Sequence, residues 1–335
     1  MRTPRLLPTV TGLTVTALLA LSGCGEDGSA AEPRTDGAAA WTGAAAPVDP
    51  SGLVWAADGA VHLGDGTVID TEQRIEAYVV AGDGVYLVPA GEREGPGAPL
   101  LLATDDRLEE TGARVEPDTL RTSPDGRYLA FIDPATGEQD AFGTPVATAV
   151  VVDTVRGEEV VRSSEGMGDV GEDDLADLYE DAESPEVLGL TDTTAYVVGP
   201  DGVRAHDLAS GEGSVVADSA SEVYDTDWFA ALRGEDALTN PAGTWRIVDP
   251  TDGSPVRLVP EDGGAPVVTR SPVDVYELDS WLDDETAVGG GLDGETDLLL
   301  ACTLPTGECA PPPGVPAGAL LPVDRSGPGL PTVRR

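Results

Sequence analysis

The chain has no lysine: all 19 of its basic residues are arginine, set against 61 aspartates and glutamates, for a formal net charge of −42. Asn240 is its only asparagine. Both missing residues need A-rich codons, so their scarcity points to a GC-rich coding sequence. A surface so poor in cations disfavours nucleic acid as a partner, because phosphate binding needs clustered Arg and Lys. It also disfavours direct adsorption to an anionic membrane face, and its self-repulsion favours solubility. Histidine is nearly missing too. His62 and His206 each follow an Asp-Gly pair in a strand-like run. A Ser-His-Asp hydrolase would need one of them beside a nucleophile. No G-x-S-x-G elbow, Gly-rich phosphate loop or dinucleotide-binding spacing occurs. Aromatic residues make up only 4% of the chain, which leaves recurring Val- and Leu-rich runs to build a core.

Glycine (42) and proline (28) are frequent, as suits short strands joined by tight turns. Three families of turn recur. In "SPDGRYLAFI" (123–132), "LTDTTAYVVG" (190–199) and "LDDETAVGGG" (282–291) an Asp stands third, at Asp125, Asp192 and Asp284, and a strand follows. An Asp so placed can bond its own following backbone and hold the turn. "ADGAVHL" (57–63), "GDGVYLV" (82–88) and "PDGVRAH" (200–206) put Asp-Gly before an alternating strand, a strong hairpin signal. "DPATGEQ" (133–139), "DTVRGEE" (153–159), "DLASGEG" (207–213) and "DPTDGSP" (249–255) place Gly four residues after Asp; "TLPTGEC" (303–309) repeats the shape from Thr303. That spacing suits a type I turn closed by a left-handed Gly. The repetition predicts units starting near Leu53, Glu76, Asp118, Ser184, Ser221 and Ala265.

"SPDGRYLAF" resembles the repeat of TolB-like and WD-repeat-like propellers, where this turn leads into the second strand of a blade. The resemblance implies an all-β fold, a β-propeller of about six, or seven, four-stranded blades. "ALLPVD", Ala319 to Asp324, is the candidate closing strand, set beside "LVWA", Leu53 to Ala56. A pair of β-sandwiches is the rival architecture. One stretch breaks the β pattern. "GEDDLADLYEDAE", Gly171 to Glu183, sets Leu175, Leu178 and Tyr179 on one stripe of a short acidic helix. It reads as a solvated insertion or as a contact element for a partner.

The N-terminus carries an address. Arg2 and Arg5 precede an uncharged apolar run, Leu6 to Ala20, in the pattern of a secretory signal. The run ends in "LSGC", Leu21 to Cys24, which resembles the lipobox of bacterial lipoproteins. The resemblance implies cleavage before Cys24 and a diacylglyceryl anchor on its thiol, hence an exported protein held on the outer face of the cell membrane; two acyl chains anchor stably. Residues 1–23 are then the signal peptide, 24–50 a flexible tether whose Trp41 is either exposed or docked on the domain, 51–324 the propeller with its 171–183 insertion, and 325–335 a loose tail.

Cys302 and Cys309 flank a hairpin turn in an exported chain and are expected to form a disulfide. No second Cys/His pair completes a zinc site, and no metal is assigned. Asp293, Glu295 and Asp297 alternate in a hairpin, and Asp225 and Asp227 stand beside Trp228. These six are the candidate ligand-face residues. The alternating carboxylates allow Ca2+ but lack the EF-hand register; a solvated hairpin is the other reading. The functional expectation is a binding or scaffold module for a protein or cell-envelope component, with a propeller hydrolase or lyase acting on glycans or a small molecule as the alternative.

Overall fold

The computed structural model describes residues 39–324, except 50, 92, 94, 182–183, 224–225, 233–237 and 250–253. The expected signal peptide, Cys24 and the expected 325–335 tail fall outside the described residues.

The described chain is nearly all β, and within each sheet the strands pair antiparallel, with few exceptions in their order along the chain. The first sheet is β1 (Trp55–Ala57), β2 (Ala60–His62) and β3 (Val68–Asp70). The second is β4 (Ile75–Ala81), β5 (Gly84–Pro89), β6 (Ala98–Ala103) and β7 (Leu108–Val115). The third is β8 (Arg121–Thr122), β9 (Tyr128–Asp133), β10 (Thr148–Asp153) and β11 (Glu158–Ser163). The fourth is β12 (Glu186–Leu190), β13 (Thr194–Gly199), β14 (Gly202–Asp207) and β15 (Gly213–Ala217). The fifth is β16 (Trp245–Val248), β17 (Arg257–Pro260) and β18 (Val267–Val268). In the sixth, β19 (Val275–Tyr276) and β20 (Ser280–Trp281) both pair with β21 (Thr286–Asp293), followed by β22 (Thr296–Thr303) and β23 (Glu308–Ala310).

The two three-stranded sheets each gain a fourth partner through a single bridge. Thr239 pairs with Arg246 beside β16, and Leu320 pairs with Ala56 of β1 through two main-chain bonds of 2.9 Å. Leu320 lies within the stretch expected to close the first unit. The fifth sheet begins later than the turn pattern suggested, because helix α2 (Asp227–Leu232) precedes it, and the sixth does so because β18 still belongs to the fifth.

The turns explain the strands they join. Asp58 and Gly59 both adopt positive φ (51° and 80°), as a type I′ hairpin demands. The other two Asp-Gly pairs do not form this turn. In one the loop is Gly82-Asp83, with Gly82 at φ 58°; in the other it is Pro200-Asp201, with Gly202 at φ 108°. In the Asp-x-x-x-Gly family, Gly157, Gly211 and Gly307 each donate their N–H to the carbonyl of Asp153, Asp207 and Thr303 at 2.8 Å, all with positive φ. Gly137 differs: it is glycine because a Cβ there would lie 1.9 Å from the Val146 carbonyl oxygen.

Central strands bury both faces. Along β9, Tyr128, Ala130 and Ile132 join a core shared with the fourth sheet, while Leu129 and Phe131 join one shared with the second. Further cores join the first sheet to the second and the fifth to the sixth; the other face of the fourth packs on α2. Each such buried Leu, Val or Phe contributes about 1.5–3 kcal/mol of transfer free energy.

Two expectations need correction. The segment 24–50 is not all tether, since Ala39–Asp49 lies against the sheets. Ala40 donates to Thr111, Ala44 to Thr154 and Val48 to Gly82, at 2.7–2.8 Å. Trp41 packs near Phe131 and Tyr86, with ring centroids 6.0 and 6.3 Å away, and its Nε1 donates to Glu159 at 2.9 Å. The acidic insertion contains α1 (Leu175–Asp181), and its apolar stripe is docked rather than solvated. Leu175 is fully buried, Leu178 and Tyr179 pack on the same core, and the Tyr179 hydroxyl donates to Met167 O. Asp177 and Glu180 face solvent.

Candidate functional site

The first-position strands β4, β8 and β12 lie side by side, β4 against β8 and β8 against β12. The opening residues of β8 and β12 are polar and meet. Arg121, first in β8, reaches Glu186, first in β12, at 3.3 Å. Its Nη1 also donates to the carbonyls of Asp118 (2.7 Å) and Leu120 (2.9 Å), which fixes the guanidinium from its own chain. Beside β4, Arg93 bridges Glu76 and Glu116. The closing segment enters the same region: the Tyr78 hydroxyl donates to Leu320 O at 3.0 Å, and Thr122 Oγ1 donates to the Asp324 carboxylate.

Next to this region is an open cleft of about 310 Å³, lined by Ala56, Ala57, Asp58, Gly59, Arg74, Ile75, Gly318 and Leu320. It exists because the closing residue Leu320 meets β1 where β4 begins. Arg74 brings the cleft a cation, Asp58 an anion, and Ile75 and Leu320 an apolar surface.

A third group lies between β19 and β20. Burial pushes the Asp279 carboxyl above the usual range, against a 2.7 Å bond from Ser280 Oγ. Glu277 is raised by burial, and then by the charges of Asp279 and Asp249. Glu277 Oε1 and Asp279 Oδ2 have no hydrogen-bond partner among the described residues.

The described residues expected to face a ligand fall on two separate elements, α2 and the β21–β22 hairpin. Asp225 lies outside the described residues, and Asp227 opens α2. Trp228 stacks on Tyr196 at 4.3 Å and meets Phe229 edge-on at 6.0 Å, so it packs the fourth sheet against α2. Asp293, Glu295 and Asp297 are exposed on the β21–β22 hairpin around Gly294. Among the described residues no three His, Cys, Asp or Glu side chains are grouped to hold a metal. Cys302 and Cys309 are directly paired across β22 and β23 and joined as a disulfide. Among the described residues neither histidine has a nucleophile for a hydrogen-bond partner. His62 stacks on Trp55 at 3.7 Å; His206 is buried, with its pKa lowered by burial and by Arg204.

Arg121, Glu186 and Arg74 escaped the sequence reading. An isolated Arg or Glu at a strand start carries no motif, and the partners Arg121 and Glu186 stand 65 residues apart. Among the described residues no helix is long and apolar enough to cross a membrane.

No family model matches the chain, and no curated protein sequence does. Among solved structures, TolB from Acinetobacter baumannii is 12% identical, with 78% of this chain and 66% of that chain covered, at a TM-score of 0.36. Oligogalacturonate lyase in complex with manganese is 15% identical, with 81% and 77% covered, at 0.33. The dihydro-heme d1 dehydrogenase NirN is 12% identical, with 80% of this chain and 55% of that chain covered, at 0.32. At this level of likeness, fold and activity are read from the chain's own sheets and side chains.

Proposed function

We propose that this chain is a lipid-anchored, extracytoplasmic protein whose six sheets form a β-propeller that works by binding a protein or a cell-envelope component. The observation that carries the architecture is the Ala56–Leu320 pairing. It joins the two ends of a row of antiparallel meanders, each built from consecutive strands, and radial repetition of such meanders protects their edges. The anchor rests on the signal pattern and "LSGC" at Leu21–Cys24. Binding is favoured by how the polar groups of the first strands are used. Arg121 with Glu186 ties the third sheet to the fourth, and Thr122 with Asp324 ties the third sheet to the segment after Leu320, as a rigid scaffold requires. The open cleft and the acidic outer face of α1 remain available to a partner.

The test is affinity capture of the lipidated protein from its own solubilised membranes, with mass spectrometry of the N-terminal peptide. A diacylglyceryl mass on Cys24, absent from Cys24→Ala, is expected, together with a stoichiometric partner. Deleting 171–183 is a poor probe, because it removes the buried Leu175. Asp177→Asn with Glu180→Gln tests the outer face of α1 and leaves the core in place. An unmodified Cys24 would remove the anchor, and a well-folded sample that captures nothing would remove the binding role.

A further inference from the structure

The first and sixth sheets meet differently from most of the other neighbours. Among the described residues no large apolar cluster joins them; main chain does, through Ala56–Leu320 and the Gly318 N–H on Asp297 O at 2.7 Å. Trp55 and His62 stack on the face of the first sheet that points away from the second, since Ala56 and Val61 between them take the shared core. The 310 Å³ cleft opens at this closure. Leu320, 38% exposed, and the half-buried Ile75 give it an apolar wall. Arg74, on its rim, forms no ion pair among the described residues, although ion pairing is the rule for the other described arginines.

We propose that this cleft binds an apolar amino-acid residue by its free carboxylate, either as a free amino acid or as the C-terminus of a peptide. The inference deepens the binding reading above by naming a ligand chemistry for the cleft. Arg74 supplies the planar donor fork that grips a carboxylate by two parallel bonds. Ile75 and Leu320 take the apolar side chain. Asp58, held in the left-handed region at φ 51°, presents a carboxylate that accepts the ligand's N–H, whether amide or ammonium. This pairing of charges disfavours a bare dianion, which Asp58 would repel. The cleft volume is at the lower end of the roughly 300–1,000 Å³ of small-ligand sites, which suits one residue rather than a long segment.

The experiment titrates the full chain with N-acetyl-L-leucine, L-leucine and N-acetyl-L-leucinamide, following the backbone amide signals of Gly59 and Gly318. Both acids are expected to shift these signals and the amide to leave them in place. Arg74→Gln is expected to weaken the acids about tenfold or more, from loss of a charge-assisted pair; Arg246→Gln, on the fifth sheet, leaves binding unchanged. Asp58→Asn weakens leucine more than its acetyl derivative. Tighter binding of the acetyl derivative assigns a peptide C-terminus, and tighter binding of leucine assigns a free amino acid. The inference is overturned if no acid shifts these signals at millimolar concentration, if the amide binds as well as the acid, or if a folded Arg74→Gln protein binds normally. A partner still captured from membranes in any of these cases leaves the binding role standing and moves it to another surface.

Discussion

At the scale of single residues, the rarest side chains hold structural posts. Asn240 is buried, and its amide is fully used. Oδ1 accepts from the backbone of Thr244 (2.8 Å) and Trp245 (2.9 Å), and Nδ2 donates to Asp284 O (2.8 Å) and Thr244 Oγ1 (3.1 Å). It therefore ties the fifth sheet to the turn before β21. Asn240→Ala should lower the urea midpoint at constant m-value, by about 2–3 kcal/mol for the buried groups left unpaired. His206 is buried neutral, with no hydrogen-bond partner on Nδ1 among the described residues. Its folded pKa lies below the ordinary histidine value of 6.5, chiefly through burial. As pH falls below that value, the unfolded chain takes up a proton that the native chain does not, so stability falls. His206→Gln should flatten this part of the stability-versus-pH curve. Asp279 works in the opposite sense. Its folded pKa is raised, so the native chain keeps a proton that the unfolded chain releases, and stability falls as pH rises from the ordinary aspartate value of 3.8 through the folded pKa. Asp279→Asn should therefore raise the melting temperature at neutral pH and lose that advantage in acid.

At the scale of elements, turns were the most legible part of the chain, because their chemistry is local. Asp-x-x-x-Gly closes two hairpins, at Gly157 and Gly211, and the Thr303 version closes a third at Gly307, all by one repeated bond. Docking was not legible. Ala39–Asp49 is mostly Ala, Gly and Pro, a composition that reads as linker; a single aromatic, Trp41, supplies its main anchor. Trp41→Ala should cost about 2–3 kcal/mol, somewhat less than a fully buried Trp. It should speed amide exchange at Ala44 and Val48 while leaving β22 unchanged, and uniform protection across both segments would count against a docked strap. The helix α1 read correctly as a short amphipathic turn of chain, but its burial depended on a distant group. The Asp140 carboxylate accepts the Leu175 N–H at 2.9 Å from a loop 35 residues away. Burial pushes this carboxyl up, and the backbone N–H bonds of Leu175, Thr144 and Phe142 outweigh that and hold it low. Asp140→Asn should loosen α1 without unfolding the neighbouring sheets, as exchange at Leu175 and Leu178 would report.

At the scale of the whole molecule, the Ala56–Leu320 pairing ties the end of the described chain back to its first sheet. The Leu320 N–H bonds Ala56 O, and Val323 N–H bonds Tyr78 O at 3.0 Å, so one short segment touches both the first and second sheets. Leu320→Pro removes a donor from this pairing and should cost about 3 kcal/mol. Its first effect should be faster exchange in β1 and β2, not in the third sheet. By itself the sequence determined the strand-and-turn rhythm, the disulfide pairing and the acidic surface, because each depends on residues close together in the chain or on composition alone. Only the tertiary structure decided the docked strap, the buried stripe of α1, the Arg121–Glu186 pair and the cleft under Leu320. Each of these joins residues far apart in sequence, and no local preference of either partner encodes the meeting.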